Sequence, residues 1–338
     1  PTGSIVSTAN GGAGGNGGNG GSATATTGAN TTAGNGGDAG AGGDATAYGI
    51  KGSGVSSLLV NTGSIAATAT GGKAGMAGTA GTATGGDVNK PGTDGNGAVG
   101  GKAVATAVSL DASGAGVDAL AFANITANSI TANATVGTAS TGVTNTATSM
   151  AKALEANQAY VTVASKAGSD LSIAAKGSLD TGTGADKHLN SYAVDATKST
   201  VVLDAGGEKG NNILMTGTVK VDNSDLVFKS NAKISSNADT GTSRMDGKLI
   251  LDKSNLMAAG NVDIAHDLNI KDATISFYEN EINAGTVEYK KQLKSADYGT
   301  ITVGSDTNAG VRGTFIKDGV NTFNMRTDIA NGRGDRID

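Results

Sequence analysis

The chain contains no cysteine in its 338 residues, which excludes a disulfide scaffold, a thiolate metal site and a cysteine nucleophile. It has two prolines, no tryptophan, and aromatic residues make up only 3% of it. Too few large rings are present to fill a deep globular core. Charge is sparse as well: Asp, Glu, Lys and Arg total 16%, with a net charge of −5. No basic surplus exists to neutralise phosphates, so nucleic acid is excluded as a partner. No apolar run reaches the ~18 residues that would mark a membrane-spanning helix. The two histidines, His188 and His266, lie far apart without ligand spacing and read as surface or strand-edge residues. No metal, cofactor or catalytic residue is expected, and a chain opening on Pro1 reads as a processed or trimmed product.

Small residues replace what is missing. Glycine occurs 55 times, roughly twice its ordinary share of ~7%. Residues 1–100 hold 31 of these glycines, and residues 1–150 hold ten charged side chains against 45 in the remainder. The triplets GGA, GGN, GGN and GGS run from Gly11 to Ser22, with looser copies at Asn35-Gly36-Gly37-Asp38 and Ala41-Gly42-Gly43-Asp44. Alone, such a run suits a flexible linker. In an ordered chain it implies extended or polyglycine-type threads held by a regular neighbour, because ordering glycine costs more backbone entropy than ordering any other residue. Stacked backbone hydrogen bonds are the expected compensation.

An internal repeat follows. Gly54-Val55-Ser56-Ser57-Leu58-Leu59-Val60-Asn61 resembles Gly116-Val117-Asp118-Ala119-Leu120-Ala121-Phe122-Ala123, and each precedes an Ile-centred strand, around Ile65 and Ile130. Beyond residue 200 the pattern is short alternating strands broken by Asn, Asp and Gly, such as 200–203, 213–221, 225–228, 248–251 and 273–278. Helical patterning is confined to residues 149–160 (SMAKALEANQAY), where Ser149 suits an N-cap. Thin strands with Asn-rich corners favour a single-chain parallel β-solenoid over a sandwich. At roughly 20–29 residues per turn and ~4.8 Å per rung, the expected rod is about 60–80 Å long. Three regions are expected: a Gly/Ala/Thr/Asn-rich part over 1–101, solenoid rungs over 102–298 and closing rungs over 299–338.

The residues Ala47-Tyr48-Gly49-Ile50, the stretch 61–72 (NTGSIAATATGG), and 299–303 (GTITV) followed by 321–337 (NTFNMRTDIANGRGDRI) resemble passenger domains of bacterial autotransporters, the type V secretion family. That resemblance implies a right-handed parallel β-helix, export to the cell surface and an adhesive or structural role. The absence of cysteine agrees with it, since a chain threaded through a pore is not locked by disulfides.

Four motifs compete with this reading. Arg333-Gly334-Asp335 spells an integrin-type adhesion tripeptide, although Gly-Asp also suits a rung turn. Asp38 and Asp44 faintly resemble nonapeptide calcium repeats, but their spacing is six. Thr-x-Thr pairs such as Thr68/Thr70 and Thr216/Thr218 suit an ice-binding face, yet their intervals are irregular and strand propensity accounts for them. Glu279, Glu281 and Glu288, beside Tyr278 and Tyr289, suggest a glycan cleft without a partner base. The expected function is therefore a non-enzymatic extracellular protein of the bacterial cell surface. It would associate head-to-tail with copies of itself into a fibre, or act as an adhesin toward host or neighbouring cells. The alternatives are a monomeric passenger adhesin, a polysaccharide-active β-helix enzyme and an ice-binding solenoid. The uncharged strand Ser4-Ile5-Val6 at one end and Ile337-Asp338 at the other are the expected assembly ends, because open strand edges pair readily.

Overall fold

The computed structural model describes residues 3–338, except 27, 117–118, 167, 179–189, 206–210, 238–245, 278–298, 306–312, 326 and 329–332. It is a three-faced parallel β-solenoid. Sheet I has nine strands, from Ser4–Asn10 to Arg336–Ile337. Sheet II has eight, from Ala45–Ser53 to Phe315–Asp318, and sheet III has eight, from Ser57–Asn61 to Thr322–Asn324. The chain visits the sheets in the order I, II, III and repeats, so each strand pairs with its counterpart one coil away.

Like residues stack on like. Ile5, Ile65, Ile130 and Ile173 form one inward column, continued by Met215, Ile234, Ile264 and Val303. The inward neighbours in the early coils are alanines, such as Ala67, Ala132 and Ala175 or Ala105 and Ala151, all fully buried. In the later coils they become Leu203, Leu226, Phe228 and Leu251. The small-residue composition thus builds a narrow first half of the core.

Coil length varies widely. Nineteen residues separate Met215 from Ile234, while sixty separate Ile5 from Ile65. The surplus of the early coils leaves between sheets I and II, over 11–44, 71–102 and 136–148. These excursions shorten the rod. Nine strands at ~4.8 Å per step give roughly 38 Å, against the 60–80 Å expected from residues per turn.

Two other expectations are corrected. Residues 149–160 form no helix: Ser149–Asn157 is a strand of sheet II and Ala159–Ala164 one of sheet III. Helix propensity is a weak prior. Here Ser149–Asn157 is paired on both edges, with Ala103–Asp111 and with Ser191–Thr197. The two halves of the internal repeat also differ. Ser64–Thr70 and Ser129–Thr135 are in register, as Ile65 and Ile130 require. The preceding segments are not aligned through Gly54 and Gly116, because Leu58 stacks on Ala123.

At the corner from sheet II to sheet III, one residue per coil takes a left-handed backbone: Gln158, Lys198, Asn223, Lys253 and Asp272, each at φ 48–49°. A serine ladder supports the turn. Ser199 Oγ accepts the Ala159 N–H (3.0 Å), Ser224 Oγ accepts the Ser199 N–H (2.8 Å) and Ser254 Oγ accepts the Ser224 N–H (3.2 Å). Each hydroxyl also donates to a carbonyl two residues back.

Candidate functional site

The glycine triplets form a layered bundle of extended threads beside the solenoid. In the first coil residues 11–22 run out and 34–43 run back. The N–H groups of Gly34, Gly37, Gly40 and Gly43 donate to the carbonyls of Gly21, Gly18, Gly15 and Gly12 (2.7–2.8 Å). The second coil repeats this with 71–82 and 92–101. Between the layers Gly11, Gly14, Gly17 and Gly20 donate to the carbonyls of Thr70, Lys73, Met76 and Thr79, all at 2.8 Å. A donor every third residue is the three-residue period of a polyproline-II-type helix.

Where the third residue of a triplet is polar it faces out and caps the next layer; Ala13 of the first triplet has no such group. Asn16 and Asn19 side-chain oxygens accept the N–H groups of Met76 (2.9 Å) and Thr79 (3.1 Å). Asn35, Asp38 and Asp44 do the same for Thr93, Asn96 and Lys102. Asp38 and Asp44 therefore act as thread caps, and among the described residues no group of acidic or histidine side chains has metal-ligand geometry.

Glycine holds most covered positions of the threads, although half-buried Ala39 and buried Ala74 also lie between layers, donating to the Asn96 and Thr138 carbonyls. A Cβ on Gly14 or Gly17 would lie 2.1 or 1.9 Å from a carbonyl oxygen of the return thread. On Gly72, Gly75, Gly78 or Gly81 it would lie 1.9–2.2 Å from the carbonyls of Gly12, Gly15, Gly18 and Gly21. Where the second layer is uncovered, side chains appear: half-buried Ala77 and Ala80 on the outgoing thread, and Asp94 on the return, whose carboxylate takes the Ala80 N–H at 2.6 Å. Nearer the core, where residues 137–143 cover the same return thread, Gly97 and Gly100 are again glycine.

The opposite face breaks this rule. Gly12, Gly15, Gly18 and Gly21 are exposed, and a Cβ on any of them would meet nothing within 4 Å. Among the described residues their N–H groups find no acceptor. Four glycines at a spacing of three thus sit where any residue would fit.

The expected assembly ends lie at the two ends of the solenoid. Ser4 and Val6 face outward from the edge strand of sheet I, with Val6 65% exposed, while Ile5 is half-buried against the core. At the other end Ile337 pairs with Ile301, and Asp338 exchanges backbone hydrogen bonds with Ile301 (2.8 Å) and Val303 (2.9 Å). Phe315, Ile316 and Val320 are exposed in that last coil.

The remaining sequence candidates do not converge. Asp335 of the Arg333-Gly334-Asp335 tripeptide is buried, and its carboxylate accepts the Gly299 N–H at 2.7 Å, so that oxygen serves the turn. Glu279, Glu281 and Glu288, with Tyr278 and Tyr289, lie outside the described residues, as does His188. His266 is buried in the corner between sheets I and II, not at a strand edge. Of the Thr-x-Thr pairs, Thr68/Thr70 faces out from sheet I, whereas Thr216 and Thr218 straddle a corner and Thr218 is buried.

One charged knot went unnoticed in the sequence. On sheet II Lys152 bridges Glu155 (2.5 Å) and Asp195 (2.7 Å), and Glu155 also accepts the Ser109 hydroxyl (2.8 Å). Burial pulls the Lys152 pKa down, but hydrogen bonds to Asp195 and Glu155 outweigh it and hold the ammonium above the ordinary lysine range. One lysine is thus shared by two carboxylates, and with the Ser109 hydroxyl these contacts tie three successive strands of sheet II together.

These features define the class: a three-faced parallel β-solenoid with a polyglycine side bundle. No family model, no curated protein and no solved structure matches this chain.

Proposed function

We propose that this chain is a non-enzymatic structural protein of the bacterial cell surface, similar in plan to an autotransporter passenger, and that it associates with copies of itself. One observation carries the reading: glycine is kept at 12, 15, 18 and 21, where no described residue demands it, although elsewhere in the bundle uncovered positions carry Ala or Asp. A surface that pays the entropic cost of glycine without a neighbour is built to receive one. The second layer indicates what fits, since its equivalent glycines seat directly on a glycine thread.

The partner is the first coil of a second copy. The face offers N–H donors and outward carbonyls with the same period of three, so it is self-complementary, as a two-fold contact requires. Residues 3–37 carry no charge, so two copies meet without repulsion. A twelve-residue thread at ~3.1 Å per residue gives roughly 37 Å of contact. Head-to-tail stacking is the second reading, favoured by the exposed Phe315, Ile316 and Val320 of the last coil.

The test is the double substitution Gly15→Val with Gly18→Val, followed by sedimentation and light scattering. The variant is expected to keep the wild-type circular dichroism and melting temperature, because nothing lies within 4 Å of either position, and to remain monomeric. Assembly equal to the wild type would assign the contact to another face, and a wild type that stays monomeric at high concentration would end the self-association reading.

A further inference from the structure

We propose that the corner between sheets II and III is a binding groove for an acidic oligosaccharide. The groove encloses about 520 Å³ and runs along the coil axis. Its floor is the left-handed column Gln158, Lys198, Asn223 and Lys253, and one wall is the row Tyr160, Thr200, Asp225 and Asn255 that opens the strands of sheet III.

The backbone of this column is the first argument. Left-handed φ costs a side chain roughly 1–2 kcal/mol, and only Gly, Asn and Asp adopt it with ease. The fold accepts glycine at this corner: Gly54 and Gly319, on the same ladder of corner hydrogen bonds, have φ +72° and +66°. Yet Lys198 and Lys253 hold long, exposed side chains there, whereas Gln158 is buried and its amide donates to the Gly116 carbonyl at 3.3 Å. Strain that the fold can avoid, concentrated along one groove, points to a task for those side chains.

Charge is the second argument. Among the described residues neither Lys198 nor Lys253 has an ion-pair partner, so both charges remain available to a ligand. Asp225, the one acidic residue among the described residues that line the groove, is engaged by the Asn255 amide at 2.7 Å. Lys198 and Lys253 sit two coils apart, roughly 9–10 Å. That suits a polymer with widely spaced acidic groups. It does not suit nucleic acid, whose phosphate on every residue would place further charges between the two lysines with no cation to meet them.

The rest of the lining supplies sugar-binding chemistry. The Tyr160 ring lies 6.3 Å from that of Phe122, which is 48% exposed, and Leu120 stands beside them. Such rings stack on the C–H faces of pyranoses, while Asn223 and Thr200 offer an amide and a hydroxyl to ring hydroxyls. The groove shares no residue with the glycine layer, so ligand binding here is independent of self-association.

The experiment is calorimetric titration of the full chain with hyaluronate and unsulfated chondroitin hexasaccharides, each carrying one carboxylate per disaccharide, using maltohexaose as the neutral control. At least one acidic hexasaccharide is expected to bind, at least tenfold more tightly than maltohexaose, and to weaken several-fold between 50 and 300 mM salt. The double variant Lys198→Gly, Lys253→Gly is expected to lose at least tenfold in affinity while its melting temperature rises, because glycine relieves the left-handed strain. Failure of both acidic ligands to bind, equal binding of maltohexaose, or unchanged affinity in the variant would overturn the proposal. So would a lower melting temperature in the variant, which would show that the lysines serve the fold.

Discussion

The first three coils and the later ones solve the same packing problem with opposite means. In the early coils the core columns are largely alanine, and a second structure with scarcely any side chains, the glycine bundle, is added at the side. In the later coils the excursions between sheets I and II shrink to as little as Gly217 alone, and the core is filled by Leu226, Phe228, Leu251 and their neighbours. Burying a Leu or Phe side chain stabilises by roughly 1.5–3 kcal/mol, which an alanine cannot match. The early coils offset that loss with backbone hydrogen bonds, each worth about 1 kcal/mol net. A chain can thus exchange apolar area for hydrogen-bond number, provided its glycines are held at a strict period of three.

The sharpest way to break this comparison is to put a side chain inside the bundle. Gly17→Val would place its Cβ at 1.9 Å from the Gly37 carbonyl oxygen, and the layer has no slack. Hydrogen exchange is expected to lose protection over 11–43 and 71–101 and to keep it in the strands from Thr200–Asp204 to Thr274–Phe277. Loss of protection in those later strands would show that the two regions are not separable.

In the later coils the equivalent injury is a cavity. Phe228→Ala should destabilise by about 3–5 kcal/mol in urea titration, with the bundle unaffected. If the bundle melts together with the later coils, nearest-neighbour coupling along the solenoid is stronger than its side-chain contacts suggest.

Next in size is the serine ladder, a device of the later coils. Ser224→Ala leaves the buried Ser199 N–H without its acceptor, at a cost of about 1–3 kcal/mol. Ser→Ala at exposed Ser22, whose hydroxyl serves the bundle, should cost well under 1 kcal/mol.

A further effect concerns pH. Lys152 has a raised pKa, so its contribution is complete below the unfolded-state value of ~10.4 and fades as pH climbs through the folded-state value above it. Wild-type stability should therefore drop by about 1 kcal/mol on the alkaline side of pH 10, while Lys152→Met should lack that step. Asp111 behaves oppositely: hydrogen bonds from the Ser113 hydroxyl and N–H lower its pKa. Its contribution is present at neutral pH and is lost as pH falls through its folded-state value.

Much of the solenoid was legible because strand stacking repeats chemistry. The columns of Ile65 and Ile130, the alternating runs and the punctuating Asn and Asp all survive in a single sequence. The helix expected over 149–160 failed because Ala, Lys, Leu and Glu favour a helix locally, while neighbours at 103–111 and 191–197 claim both edges of the segment as strand. The groove left a trace that was overlooked: Thr197-Lys198-Ser199, Asp222-Asn223-Ser224 and Asp252-Lys253-Ser254 repeat one corner motif.

By itself the sequence determined that this chain is all-β, parallel and layered, because lack of cysteine, rings and charge leaves backbone hydrogen bonding as the main source of order. It also pointed to close backbone packing of the glycine triplets, as extended strands or polyglycine-type threads, because ordering glycine costs more backbone entropy than ordering any other residue. Only the tertiary structure decided which glycines are covered. The triplet pattern is the same at Gly14 and Gly15, but one faces a carbonyl at 2.1 Å and the other faces open space. That difference depends on which threads lie side by side, Gly14 facing Gly40 twenty-six residues further along the chain, and a local pattern carries no record of it.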